Sequence, residues 1–242
     1  MRTDQTAPSA AGQNRLLQIL RRVDRDRVLA KAKLIQLEAN TILVGEEQQL
    51  RHVYFPVSCY VGVYSTAAAS APVAVNLIGS EGMLGSVLLL GSGQLPGTAI
   101  VVGAGFAWRV SRKEFAAVVA ERAAVRLVSM RYLHHSLINV AQHAACSHFH
   151  SIESRLARWL LMIHDRVGSD QFALTQQMLA DLLGVRRVGV TLAATALQAR
   201  NLIDYRRGVI RLINRNGLLA NSCDCYGIGE AHYKKALGKQ AA

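Results

Sequence analysis

The stretch that most constrains this chain is Leu174 to Ile203, LTQQMLADLLGVRRVGVTLAATALQARNLI. Thr175 is placed to cap a helix, because a Thr hydroxyl there can accept from a backbone N–H of the first turn. Good helix formers follow, with apolar residues at Met178, Leu179, Leu182 and Leu183. Gly184 ends that helix, since the turn after it needs a residue that tolerates positive φ. A second amphipathic helix is predicted beyond it, with Val190, Ala193, Ala194 and Leu197 at core-facing spacing. Its start carries Arg186 and Arg187 beside the small Gly189. Helix, glycine turn and an arginine-headed helix is the sequence form of a helix-turn-helix, although a plain helical hairpin with a solvated arginine pair has the same local form. Binding duplex DNA needs positive charge set against phosphates and a helix end that enters the major groove. Both are present.

The residues that follow narrow the reading. Leu202 and Ile203 lead into DYRRGVIRLIN, where Arg207-Gly208 is a turn signal flanked by Val209, Ile210, Leu212 and Ile213. A short hairpin directly after the second helix makes a winged helix, with Arg206 and Arg207 at the tip where a wing meets the phosphate backbone. From Arg155 onward there are 13 Lys/Arg against 6 Asp/Glu, whereas the longer preceding part has 15 against 10. The positive charge is concentrated where the motif lies. The whole chain, at +12, calls for a polyanionic partner, either nucleic acid or an anionic membrane surface.

Upstream the pattern changes twice. The first 14 residues, MRTDQTAPSAAGQN, hold no apolar run of the kind a signal peptide needs. The most apolar stretches, near 87–90 and 99–107, fall far short of the ~20 residues that span a bilayer. A cytoplasmic protein with no membrane partner is therefore expected, its four cysteines (Cys59, Cys146, Cys223, Cys225) being thiols. Asn14 to about Lys33 reads as a helical lead-in, with Leu16, Leu17, Leu20, Val23, Val28 and Leu29 on a helical period. Leu34 to Val110 consists of short apolar runs broken by Gly, Pro, Asn and Ser, the mark of an antiparallel β-roll or jelly roll. A long helix follows, over about Lys113 to Ala145 in one piece or two. Along it Ala123, Leu127, Met130, His134, Leu137, Ala141 and Ala144 advance by alternating steps of four and three. Such a seam, sustained over three heptads, predicts a dimer contact through this helix. His134 interrupts it with a polar group that either sets register, senses pH or simply faces water.

On these residues a resemblance becomes specific. FHSIESRLARWLLMIHDRVGSDQFALTQQMLADLLGVRRVGVTLAATALQARNLIDYRRGVIRL resembles the winged helix of the Crp/Fnr family of bacterial transcription regulators. NRLLQIL, RHVYFPVSCYV, IGSEGMLGS and the helix from about Glu121 extend the likeness over nearly the whole chain. The resemblance implies an α+β protein: a cyclic-nucleotide-binding-like roll over 14–120, a dimerisation helix over 121–147, a winged helix-turn-helix over 148–217 and a tail over 218–242, partly apolar and frayed at its basic end. It also implies a homodimer that binds an inverted-repeat operator on double-stranded DNA and has RNA polymerase as a partner. The family's base-reading positions map onto Arg187, Val188 and Leu192, and its phosphate contacts onto Thr175, Arg186 and Gly189. Gln176 and Thr191 complete the expected surface with the wing arginines. Members that read TGTGA or TTGAT half-sites carry Glu, Arg or Ser where Val188 and Leu192 stand, so a different operator is expected.

For the roll, the candidate effector residues are Glu81, as an acid for a ribose hydroxyl, with Gly82, Gly85 and Thr98, although Glu81, Gly82 and Gly85 read more simply as shaping a turn of the roll. Nucleotide-binding relatives place an Arg just before a Ser/Thr-Ala pair, whereas this chain reads Gly97-Thr98-Ala99 and has no Lys or Arg between Arg51 and Arg109. A cyclic phosphate without a cation is poorly held, so cyclic AMP is not the expected effector. Oxygen-sensing relatives carry an N-terminal cysteine cluster, but no cysteine precedes Cys59 here. His143, Cys146, His150 and Glu153 share a face if the helix is continuous, and would make a metal-dependent sensor. A break at 147–151 would separate them, and Cys223-x-Cys225 has no second pair. Packing, with no metal and no cofactor, is the expectation. Nor can a cupin-type enzyme be built on the roll, which offers His52 alone beside Glu38, Glu46, Glu47 and Glu81.

Overall fold

The computed structural model describes residues 14–66, 72–95 and 97–238. The reading of the first 13 residues therefore lies outside the described residues.

Two short helices, α1 (Arg15–Gln18) and α2 (Arg22–Leu29), replace the single predicted lead-in. Asn14 caps α1 by accepting from the Leu17 N–H, and its amide donates to the carbonyls of Pro56 (2.9 Å) and Gly82 (2.7 Å). Leu16, Leu17, Leu20 and Val28 are buried, but Val23 is left outside. No straight helix turns all of the predicted apolar residues to one side, so the chain bends at Leu20–Arg21.

The roll follows: β1 (Lys33–Leu37), β2 (Ile42–Val44), β3 (His52–Pro56), β4 (Tyr60–Ser65), β5 (Val73–Ile78), β6 (Thr98–Gly103) and β7 (Gly105–Ser111). They pair antiparallel as two sheets, β1-β7-β3 and β2-β6-β4-β5. Val61, Val63, Ile78, Leu84 and Val101 fill the space between them. The apolar run Ser86–Leu90 is a 3₁₀ turn and not a strand, bracketed by left-handed Gly85 (φ 114°) and Gly91 (φ 75°).

Ser111 caps α3 (Arg112–Glu121), accepting from the Glu114 N–H while its hydroxyl donates to the Glu114 carboxylate. After a break at Arg122 comes α4 (Ala123–Phe149), then α5 (Ile152–Val167), β8 (Gln171–Ala173), α6 (Gln176–Leu183), α7 (Arg187–Ala199), β9 (Ile203–Arg206) and β10 (Val209–Leu212). Trp159, Leu160, Leu179, Leu183, Val190, Leu197 and Ile210 form one core, which runs on into Tyr60, Tyr64, Ala74 and Leu77 of the roll. The winged helix is thus docked on the roll of its own chain. Inside that seam Arg166 and Glu81 form a 2.7 Å ion pair whose side chains are 8% and 6% exposed.

The last segment differs from expectation. Instead of a frayed tail, α8 (Arg215–Asn221) and α9 (Cys225–Leu237) are folded. Leu218 is buried in the winged-helix core, while α9 lies along α4. Leu237 packs with Leu17, Val118 and Val125, and the Tyr233 hydroxyl donates to the Glu81 carbonyl (2.9 Å). The tail's scattered apolar residues have distant partners, which a local period cannot reveal. Among the described residues, no helix is long and apolar enough to cross a membrane.

Candidate nucleic-acid interface

Thr175 caps α6 as its position predicts, accepting from the Met178 N–H at 3.2 Å. Gly184 then takes the left-handed turn (φ 62°), where a Cβ would also come within 2.7 Å of Val73. Arg186 starts α7 with no side-chain cap. Because Val190, Ala193, Ala194 and Leu197 are buried, the opposite face with Arg187, Val188, Thr191 and Leu192 is left in water. Val188 and Leu192 are 69% and 68% exposed, an apolar ridge on an otherwise polar face. Gly189 is half-buried, a Cβ there coming 3.0 Å from Ile152, so the small residue lets α7 approach α5.

The wing is a two-residue hairpin. Arg207 (φ 50°) and Gly208 (φ 78°) both have positive φ, the primed form whose twist matches its strands. A third strand, β8, which the sequence reading missed, pairs with β10. A groove runs between Thr175 and Gln176 at the head of α6, Arg187 and Thr191 on α7, and Tyr205 and Arg207 in the wing. Tyr205 is a groove residue that the sequence reading passed over. Its place at a period-two strand position facing α7 was the available signal. Arg186 stands exposed outside this groove, and Arg206 is held by Asp204 (2.9 Å) while still 82% exposed. Positive groups line a helix start and a wing, an arrangement suited to phosphates.

The predicted dimer seam is a continuous outer stripe of α4. Leu127, Met130, His134, Leu137, Ala141 and Ala144 are all exposed, while Val125, Val128, Tyr132 and Leu133 on the other side pack inward.

The candidate effector residues do not form a nucleotide site. Glu81, the candidate ribose acceptor, pairs with Arg166 through Oε1 at 2.7 Å. A Cβ on Gly82 would collide with the Tyr132 hydroxyl, and one on Gly85 with Leu50 (2.8 Å). These glycines admit neighbouring side chains. Thr98 stands in β6 opposite Tyr64. A cavity of about 100 Å³ does lie between roll and α4, but Val63, Ile78, Met83, Leu133 and Val140 make it apolar, and among the described residues no cation lines it. A cyclic phosphate does not fit these residues.

The metal reading changes membership. α4 does not break before Phe149, so Cys146 and His150 stay one turn apart. His143 turns away, edge-on to Trp159 at 4.8 Å, and burial followed by the nearby Arg158 charge lowers its pKa to about 3. Glu153 pairs with Arg200 at 2.8 Å. Cys223 and Cys225 take their places: the donor atoms of Cys146, His150, Cys223 and Cys225 all lie within 4.8 Å of one another. The C-x-C motif thus meets a Cys-x-x-x-His, far upstream, that begins in the last turn of α4 and ends just beyond it.

The comparisons with known proteins agree with this architecture. Residues 34–122 match the family described as cyclic nucleotide-binding domain, and residues 154–220 match the Crp-like helix-turn-helix domain. No curated protein sequence matches the chain significantly. Among solved structures, the chain is similar to a transcriptional regulator assigned to the Crp/Fnr family from Eubacterium rectale, with 15% identity, 85% of this chain and 96% of that one covered, and a TM-score of 0.65. It is similar to FixK2 from Bradyrhizobium japonicum (17% identity, 79% and 98% covered, TM-score 0.65). The c-di-GMP-responsive global regulator CLP of Xanthomonas campestris also matches (16% identity, 78% and 98% covered, TM-score 0.64). At these identities the structures speak for the fold, and the two domain families, matched in order over most of the chain, speak for the rest: the protein belongs to the Crp/Fnr family of DNA-binding transcription regulators and is not an enzyme.

Proposed function

We propose that the protein works as a homodimer joined along the outer stripe of α4, with each α7 in a major groove of an inverted-repeat operator. The observation that supports this most is the pairing of two exposed features on one chain. One is an apolar stripe at heptad spacing, with Leu127, Met130 and Leu137 at 44%, 51% and 58% exposure. The other is the groove between α6, α7 and the wing. Two-fold symmetry through the first sets two copies of the second about one DNA turn apart. In this reading Arg187 makes a bidentate contact to guanine, Val188 and Leu192 touch thymine methyls, and Thr175, Arg186, Gly189, Arg206 and Arg207 meet the backbone, with Gln176 and Thr191 alongside. Bound at a promoter, the dimer acts on RNA polymerase. Cyclic AMP is not its effector in this reading, because Arg166, the cation beside the Glu81 loop, is engaged by Glu81, and among the described residues no cation lines the apolar cavity. The cyclic dinucleotide named for the Xanthomonas relative meets the same objection in that cavity.

Sedimentation equilibrium with a salt-dependent gel shift tests the proposal. A dimer whose duplex affinity falls steeply with salt is expected. Leu137→Lys should leave monomers that bind at least about tenfold more weakly, since it puts two unpaired like charges into the seam. A monomeric wild-type chain indifferent to duplex DNA would end the reading.

A further inference from the structure

Four side chains that the DNA reading does not use meet at the hinge between α4 and α5. Cys146 is in the last turn of α4, and His150 is the extended residue (φ −111°, ψ 147°) between the two helices. Cys223 and Cys225 flank the start of α9. The Cys146 and Cys223 sulfurs are 3.5 Å apart, as are the Cys225 sulfur and His150 Nδ1. The three cysteines are buried and the histidine half-buried.

We propose that Cys146, His150, Cys223 and Cys225 bind one tetrahedral divalent ion of the zinc class, which clamps the C-terminal helix to the hinge. Three thiolates and one imidazole are a preferred set for structural zinc. Zinc–sulfur bonds of about 2.3 Å at tetrahedral angles put donor atoms about 3.8 Å apart. Two edges already stand at 3.5 Å and no pair of donor atoms exceeds 4.8 Å. An iron–sulfur cluster hangs its thiolates on different irons and spreads them wider, so the spacing points to one ion.

The surroundings carry a second, independent argument. Arg158 is 2% exposed, its Nε has no hydrogen-bond partner, and neither it nor the buried Arg155 has a carboxylate partner among the described residues. Two buried cations need an anion. A divalent ion with three thiolates and a neutral histidine carries −1 and supplies it. The Gln142 amide donates to the Cys225 sulfur at 3.0 Å, as an outer partner of a metal thiolate does. Binding releases the thiol protons and replaces sulfur–sulfur contact with bonds to the ion, with no redox step.

The site fixes how α9, α4 and α5 meet, so its loading biases the angle between the dimer helix and the winged helix. That consequence rests on the DNA reading, whereas the ion site itself does not. The test uses the full chain, stripped with chelator and titrated with Co²⁺ and then Zn²⁺. One equivalent of Co²⁺ should give the intense visible bands of a tetrahedral cobalt thiolate, and Zn²⁺ should bleach them. Cys225→Ser should abolish the signal, and His150→Ala should shift and weaken it with far-UV circular dichroism unchanged. Cys59→Ser and Glu153→Gln should leave it intact. No stoichiometric uptake by wild type, full uptake by Cys225→Ser, iron with acid-labile sulfide, or a Cys146–Cys223 disulfide in place of metal would each overturn the site. Chelation should also weaken duplex binding by about 5–150-fold, the usual range of coupling between sites. Unchanged affinity overturns the clamp, while a chain that holds zinc yet never binds duplex overturns the DNA reading and leaves the site standing.

Discussion

The winged helix and the segment that follows it are neighbours in the chain, and they are held in opposite ways. Between Ser151 and Leu212, caps, turns and core are supplied mostly from within. Ser151, Thr175 and Gly184 mark helix ends, Arg207-Gly208 turns the hairpin, and Leu160, Leu183 and Leu197 meet in one core. The segment from Cys223 to Leu237 has little of its own. Cys225 faces His150, Tyr233 reaches Glu81, and Leu237 is buried among residues as distant in sequence as Leu17 and Val118. Elements stabilised locally can form early and alone, whereas elements stabilised by distant partners order only once those partners are in place.

Truncating each core sharpens that contrast, and the largest effects belong here. Leu160→Ala should cost about 2–5 kcal/mol, as a fully buried leucine does. In native-state hydrogen exchange it should deprotect α5, α6 and α7 together. Leu237→Ala, also buried, should release α9 and leave the amides of α7 protected. If both variants exposed the same set of amides, the two regions would be one cooperative unit and the distinction would fail.

Legibility in the sequence follows the same line. Helix starts and stops in the winged helix were readable because Thr175, Gly184 and Gly208 act on residues within one turn of themselves. The outer stripe of α4 was readable because a heptad is a local period. Glu81 could not be read: it looked like a ribose ligand, yet its partner, Arg166, is on α5 in a different domain. The cysteine cluster split the same way. Its C-x-C half was visible but seemed incomplete, because the other half lies 77 residues away at Cys146. His143 and Glu153 sat at the right helical spacing, and Trp159 and Arg200 claimed them instead.

Acid should loosen the distant-partner region first. His135 is buried where α4 meets α9, edge-on to Tyr233 at 5.2 Å and paired with Asn139 at 2.8 Å. Burial lowers its pKa from 6.5 to about 4, opposed by the nearby Glu81 carboxylate, with Arg166, His232 and His134 adding to the lowering. The folded state therefore stays neutral between pH 6.5 and 4 while the unfolded state takes up a proton. Stability is fully present above pH 6.5 and falls as the pH drops toward 4, by on the order of 3 kcal/mol. Urea titrations across that window should show the slope, and His135→Phe should flatten it. An unchanged slope in the variant would assign the acid sensitivity elsewhere.

The winged helix's own contribution is to DNA, and there the effects are smaller and separable. Arg187→Ala should cost about 1–3 kcal/mol on the operator and little on random duplex, since a bidentate base contact is lost. Equal losses on both would remove Arg187 from base reading. It stands exposed, so the folding midpoint should stay where it was.

Arg206 gives the smallest and most specific effect. Its ion pair with Asp204 joins an 82% exposed guanidinium to a partner two residues away, so solvent screening leaves it little weight in stability. Arg206→Ala should therefore unfold with the wild type and lose affinity evenly across sequences, with the slope of log affinity against log salt smaller by about one. Asp204→Asn frees the same arginine from its carboxylate and should act in the opposite direction, strengthening binding to any duplex. If neither change moved the salt slope, the wing tip would be clear of the phosphates, and the interface would narrow to the groove between α6 and α7.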